Sequence, residues 1–346
     1  MDILSRRTLA ELAAPQEGPC VSIYMPLQVS GIHAHDNARR LLSILTDVEQ
    51  RLSTIGLSPK GRTQFLAIAR TFADEQLLLP HHRGEGLALF LSPVASHVYM
   101  LPSTTKDIMV IGERFHVAPL LPFVQCDRHF FILALSRTVT RLLQVSEGAV
   151  HIVDVPDMPQ AAPAESDDVT FVRSIAEAVM PAIVDQCCPL IIAASKPLAA
   201  PFKKACAYPH ILRDILEGDP TECSPDELMQ ASLPHARRAM DAVKNKKMKL
   251  YHAAAADGRT STDFLAILDA AGAGTVDCLL IADGAVQWGI IDATSKTIAL
   301  TDVQELHSED LLGYAAAQVL ARNGDIVVLR EEQMPAHAKM AAVLRS

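Results

Sequence analysis

The sequence predicts an α/β protein of three domains, and three observations carry that prediction. The chain has 346 residues, more than one hydrophobic core usually organises, so two or three domains are expected. Strand-like and helix-like patterns alternate along it, as in mixed sheets covered by helices. Two breaks divide the pattern: a proline-bounded connector ending near Gln125 and the end of a long basic helix near residue 250. The expected domains are 1–125, 126–250 and 251–346.

In the first section, Val21-Ser22-Ile23-Tyr24-Met25 alternates between faces like a half-buried strand and stops at Pro26. Asp36 can cap a helix to about Ile55, where Leu41, Leu42, Leu45, Val48 and Leu52 recur at helical spacing. Gly56 suits its end. Ser58-Pro59 opens a second helix reaching about Leu79. Strand-like runs follow at 86–91, 97–101 and 109–111, then the connector with Arg114-Phe115-His116 and Pro119-Leu120-Leu121-Pro122.

The second section opens with 130–135, a continuously apolar run expected of a strand covered on both faces. Ser136-Arg137 turns into 138–144, whose β-branched residues favour a strand, and Glu147-Gly148 turns again into 149–155. Asp167 and Asp168 cap a helix to about Cys187, and 189–194 is a short buried strand. Ser224-Pro225-Asp226-Glu227 combines a cap, a first-turn proline and two acids, so a helix is predicted from there to Lys249 or His252. The third section reads as a helix at 260–271 closed by Gly272, strands at 276–282 and 286–291, a helix at 308–322, and strands at 325–329 and 340–345.

Composition excludes several function classes. Hydrophobic residues make up 49% and charged residues 21%, a globular balance. No uncharged apolar run approaches the roughly 18 residues of a membrane span. Residues 1–14 lack the apolar core of a secretory signal, so a cytoplasmic protein with no membrane partner is expected. The net charge of −9 argues against coating nucleic acid indiscriminately and against DNA as a partner; RNA contact must be local. Seven cysteines, without a CxxC, read as free thiols in a reducing compartment.

Taken in order, Ser22-Ile23-Tyr24-Met25-Pro26, Gly86-Leu87-Ala88-Leu89-Phe90-Leu91, Arg114-Phe115-His116, the 130–136 strand, Val276-Asp277-Cys278-Leu279-Leu280-Ile281-Ala282 and Ala341-Ala342-Val343-Leu344-Arg345 resemble the bacterial archaeo-eukaryotic release factor family. These proteins are relatives of class-one peptide release factors and Pelota. The resemblance implies a ribonuclease-H-like middle domain and a C-terminal α/β/α domain like that of kink-turn-binding ribosomal proteins. It also implies a ribosome or tRNA-like RNA partner in the A site, and a translational GTPase at the C-terminal domain. Two family features are missing: the Gly-Gly-Gln loop and the Asn-Ile-Lys-Ser stop-codon motif. The place of the first is taken by the loop 156–166, whose Gln160 follows Pro159 and has no glycine beside it to permit close backbone approach. Rescue or hibernation without peptidyl-tRNA hydrolysis is therefore expected in place of termination.

The leading binding candidate is the segment 235–249. Arg237, Arg238, Lys244, Lys246, Lys247 and Lys249 face one acid, Asp241, and each phosphate they neutralise would release counterions. On a helix, Arg237 and Lys244 share a face, Lys247 lies to one side, Arg238 and Lys249 pair on the other, and Lys246 points roughly opposite. The bland alternative is a solvated helix whose cations sit near its negative end, worth about 0.3–1 kcal/mol apiece. Lys203-Lys204 is a second, weaker candidate.

Other constellations favour ordinary roles. His33, His35 and His81-His82 read as polar loop residues, not metal ligands. The 130–135 strand offers no carboxylate for a two-metal nuclease site. Gly258-Arg259-Thr260-Ser261-Thr262-Asp263 reads as helix capping and lacks phosphate-loop spacing. His116 reads as a packed connector residue and Trp288 as part of the C-terminal core. No metal, cofactor or catalytic residue is expected. The competing expectations are a hydrolase with an unrecognised interdomain site and a protein-interaction module.

Overall fold

The computed structural model describes residues 4–28, 36–74, 85–101, 104–125, 129–146, 148–186, 188–292, 297–303 and 308–345. His33, His35, His81 and His82 lie outside these residues. None of the described helices is long and apolar enough to cross a membrane.

The chain begins with helix α1 (Arg6–Leu12), capped by Ser5, whose hydroxyl accepts from the Thr8 amide. Strand β1 (Cys20–Pro26) then runs through the middle of a four-stranded sheet with β2 (Gly86–Leu91), β3 (Ser96–Leu101) and β4 (Ile108–Gly112), in the order β3-β2-β1-β4. Helices α2 (Asp36–Thr54) and α3 (Pro59–Asp74) cover one face. Val21, Ile23 and Met25 point to that side and pack on Leu41, Leu45, Val48 and Leu66. Burial is continuous along β1, so the alternation read from its sequence divides two cores and not a core from solvent.

The second sheet contains β5 (His129–Leu135), β6 (Thr140–Ser146), β7 (Ala149–Val153), β8 (Leu190–Ala194) and β9 (Ile211–Glu217). Its order is β7-β6-β5-β8-β9, with β5 to β7 antiparallel and β8 and β9 parallel to β5. This is the expected ribonuclease-H-like arrangement. Helices α4 (Asp168–Ile183) and α5 (Lys196–Ala205) pack on one face of the sheet, and α6 (Pro225–Ala256) on the other. The sequence reading carried α4 on to Cys187 and had no element between 195 and 217. Helix α5 holds Pro197 in its first turn, where proline is tolerated, and Pro201 in its interior, which argues against a helix from sequence alone; burial of Leu198, Ala199 and Phe202 holds it.

Helix α6 runs past the predicted end near 249–252 because its last turns bury Tyr251 and Ala254 against the third sheet. That sheet holds β10 (Thr260–Ser261), β11 (Val276–Ala282), β15 (Asp325–Leu329) and β16 (Met340–Leu344) in the order β10-β16-β11-β15. Its other face is covered by α7 (Phe264–Ala273) and α8 (Leu311–Ala321), completing an α/β/α sandwich. A small sheet of β12 (Trp288–Asp292), β13 (Thr297–Thr301) and β14 (Glu309–Asp310) flanks it. Two helix boundaries differ from expectation. Residues 260–261 are strand, and α7, capped by Asp263, continues through Gly272 to end at Gly274, the residue with left-handed φ of 76°. Residues 309–310 are also strand, with Asp310 capping α8.

The largest core is shared between the ends of the chain. Leu9 and Leu12 of α1, and Tyr24 and Phe90 on the back of the first sheet, pack with Leu311, Ala315 and Val319 of α8. Helix α6 reaches from the second sheet to the third. The three sheets are thus joined by one packed junction and one long helix.

Candidate nucleic-acid interface

Helix α6 is built to start firmly. The Ser224 hydroxyl accepts from the Glu227 amide, and the Glu227 carboxylate accepts from the Ser224 amide, a reciprocal capping box with Pro225 in the first turn. Leu228, Met229 and Ala236 pack against the second sheet, and Tyr251 and Ala254 against the third. Those anchors define the inner side of the helix and decide which cations are free.

The six predicted cations of α6 fall into two groups. Lys247 points inward, its side chain 25% exposed, and its ammonium pairs with Asp325 at the start of β15. The other oxygen of that carboxylate takes Arg6 of α1 at 3.0 Å. Lys247 therefore helps fasten α1, α6 and β15 together. Lys244 donates to Gln333 Oε1 at 3.0 Å, again toward the third section. In contrast, the Arg238 side chain is 77% exposed, with only Asp214 Oδ2, at 3.9 Å, as an ion-pair partner among the described residues. Arg237, Lys246 and Lys249 are exposed and form no ion pair among the described residues. Arg238 and Lys249 return to one side of the helix after about three turns, roughly 16 Å along its axis.

The structure unites the two basic clusters that the sequence kept apart. Edge strand β9 lies between α5 and α6. Lys203 near the end of α5 donates to the Arg213 carbonyl of β9 at 2.5 Å. On the next residue, Asp214 Oδ2 sits 2.9 Å from His235 Nδ1. The hydrogen bond from His235, then the charges of His235, Arg238 and Lys203, hold the Asp214 carboxyl below its ordinary range. Burial lowers the Lys203 ammonium from its usual value, with Asp214 opposing. One carboxylate thus stands amid Lys203, His235 and Arg238, with Arg213 and Lys204 exposed nearby and Arg237 one residue on. The result is a net basic surface across α5, β9 and α6 in an acidic chain.

The loop 156–166 lies against the protein and does not project. The Thr140 amide donates to the Gln160 carbonyl and the Ala162 amide to the Arg137 carbonyl, both at 2.8 Å. Met158 is buried in the core of the second section, Pro159 is half-buried and Gln160 is exposed. Arg137 pairs with Asp168 and donates to the Ser166 carbonyl, closing the loop from its far side.

A second cluster, which the sequence did not mark as a site, lies at the packed junction. His116 is buried, its Nδ1 3.5 Å from Asp310 Oδ2 without hydrogen-bond geometry. Trp288 stacks beside the His116 ring at 5.5 Å between centroids, so it packs at the junction and not within the C-terminal core alone. The Tyr24 hydroxyl donates to the His116 carbonyl at 2.6 Å, and the His116 amide donates to Ser22 Oγ. Arg114 pairs with Glu309 at 3.1 Å and lies over the Tyr314 ring. Burial lowers the His116 imidazole and raises the Asp310 and Glu309 carboxyls. Asp310 also accepts from the Leu312 and Gly313 amides as the α8 cap. These groups lie close around one another and hold the first and third sections in register. The legible signal was Glu309-Asp310 ahead of an apolar helix; its partners near residue 115 were not deducible.

Residues 162–275, which hold all eight predicted RNA-contact cations, match the family model of bacterial archaeo-eukaryotic release factor family 3. This segment is release-factor-like. No curated protein matches it. Among solved structures, ribosome-bound archaeal Pelota, described together with ABCE1, is similar over 100% of this chain and 95% of its own, at 12% identity and a TM-score of 0.41. Dom34 of S. cerevisiae, a translation termination-like factor described as interacting with Hbs1, is similar over 72% of each chain at 12% identity and a TM-score of 0.40. The archaeal translation termination factor aRF1 is similar over 99% of each chain at 14% identity and a TM-score of 0.28.

Proposed function

We propose that this release-factor-like chain is a translation-associated factor that docks on ribosomal or tRNA-like RNA in the A site, in rescue or hibernation, without hydrolysing peptidyl-tRNA. The observation that carries the reading is the convergence of Lys203 of α5 and Arg238 of α6 on Asp214 of edge strand β9, with Lys246 and Lys249 exposed along the outer side of α6. Lys244 and Lys247 belong to the same basic segment but serve it from the inside, by fixing the helix on the third section. The stapled loop at Pro159 and Gln160 favours occupancy over chemistry. Division of the chain at 125 and 250 belongs to this proposal, as does a translational GTPase that contacts the C-terminal section.

Co-sedimentation with ribosomes tests it. The wild-type chain is expected in the ribosomal fraction at low salt and free at high salt, because binding rests on counterion release. Arg238→Glu/Lys246→Glu/Lys249→Glu is expected to stay in the supernatant at every salt concentration. A wild-type chain that never sediments with ribosomes contradicts the proposal.

A further inference from the structure

Away from the basic surface, a cleft of about 370 Å³ opens between the first and third sections. Ile108, Pro119 and Phe123 line one wall, and Ile281, Ala285 and Val328 the other. Its size falls within the roughly 300–1,000 Å³ of small-molecule sites, which favour junctions between sections and apolar walls with few polar groups. Its place in the sheet is the second observation. Strands β11 and β15 are parallel neighbours, and the cleft lies where β11 ends and the chain turns through Asp283 and Gly284. In open α/β sheets, the crevice beyond the carboxyl ends of parallel strands is the usual place for a ligand.

Charge at the mouth selects the ligand. Lys106 stands exposed on the wall from the first section, beside Thr104, with no hydrogen bond or ion pair among the described residues. Asp283 stands on the wall from the third section. Asp283 already has a partner, whereas Lys106 has none among the described residues, so the unmet charge at the mouth is positive and draws an anionic group to the Thr104–Lys106 side. We propose that this cleft binds a small amphiphilic anion, with an apolar ring-sized body between the two walls and a carboxylate at Lys106. Such a ligand touches both sections at once, and its occupancy stabilises their junction. This site is independent of RNA binding.

Calorimetric titration of the full chain with indole-3-acetate, indole and tryptamine tests the site. All three probes share the ring and differ in charge. Indole-3-acetate is expected to bind tightest, by roughly 2–5-fold over indole, the worth of one exposed ion pair. Tryptamine is expected to bind weakest. Lys106→Glu, on the surface, is expected to reverse the order of the two charged probes, and Val286→Trp, at the rim, to abolish binding of all three. Melting of each variant checks that it is folded. Absence of saturable binding by any probe overturns the proposal. So does an order of affinities that Lys106→Glu leaves unchanged, or binding that a folded Val286→Trp variant retains.

Discussion

Lys246 and Lys247 are neighbours on α6 with opposite fates, and they stand for two regions of the molecule. Lys247 turns inward to Asp325 and Arg6, all half-buried, much as Arg114 turns to the buried Glu309 at the junction that also buries His116 and Asp310. Lys246 turns outward with Arg238 and Lys249, and its charge is met by solvent. The half-buried cations are committed to carboxylates because partial desolvation makes each costly to leave without a partner. The exposed ones cost little to keep and are available to a polyanion. A count of cations in sequence treats both residues alike; only burial separates holding from binding.

The junction is where substitutions should cost most. Asp310→Ala removes the acceptor for two α8 amides and the acid beside His116. A loss of about 3 kcal/mol is expected in chemical denaturation, from the lost cap and the stranded buried groups. An unchanged midpoint would show that Asp310 is incidental to the junction.

The next largest effect is in pH dependence. His129 of β5 is buried, its Nε2 3.3 Å from Gln186 Oε1, and burial lowers its pKa to about 4. The folded imidazole stays neutral while the unfolded one takes up a proton below its ordinary value near 6.5. Stability is therefore complete above about pH 6.5 and falls as pH drops through 4, by about 3 kcal/mol in all. His129→Asn should flatten that part of the profile. His116, also lowered by burial, contributes with the same sign, Asp310 and Glu309, raised by burial, with the opposite one, and the difference between the two curves cancels all three. Parallel curves would contradict the assignment to His129.

Gly313 tests how closely the two sections approach. A Cβ there would stand 3.0 Å from Asp310 Oδ2 and 3.3 Å from the Ala118 backbone nitrogen. Gly313→Val is expected to lower stability by about 1–3 kcal/mol through overpacking. The smallest effect separates the two lysines. Lys247→Ala should lose about 1 kcal/mol of stability and Lys246→Ala less than about 0.5 kcal/mol. Equal losses from the two in thermal melts would erase the distinction between the inner and outer sides.

The parts legible in sequence were those with local causes. The apolar run of β5 and the capping box of α6 are determined by residues within a few positions, and both formed as read. Strand β9 is not legible because Ile211-Leu212-Arg213-Asp214-Ile215-Leu216 places its apolar residues at i, i+1, i+4 and i+5, the spacing of a helix face and not the alternation of a strand. Helix α5 is hidden by its interior proline, Pro201. The basic clusters were visible, but their union depends on β9, and the inward role of Lys247 on an aspartate 78 positions away. The His116–Asp310 pair brings together residues of the first and third sections, which no local pattern encodes.

The most direct measurement is affinity for tRNA as a function of salt, for the wild type and two variants. Arg238→Gln/Lys246→Gln/Lys249→Gln should reduce the slope of log K against log salt by about 2–3, since each cation lost removes roughly 0.7–0.9 from it. Lys247→Gln should leave that slope nearly unchanged while lowering the melting temperature. If Lys247→Gln flattens the slope as much as the triple change does, or if the wild type shows no slope, the outer side of α6 is not the surface that meets RNA.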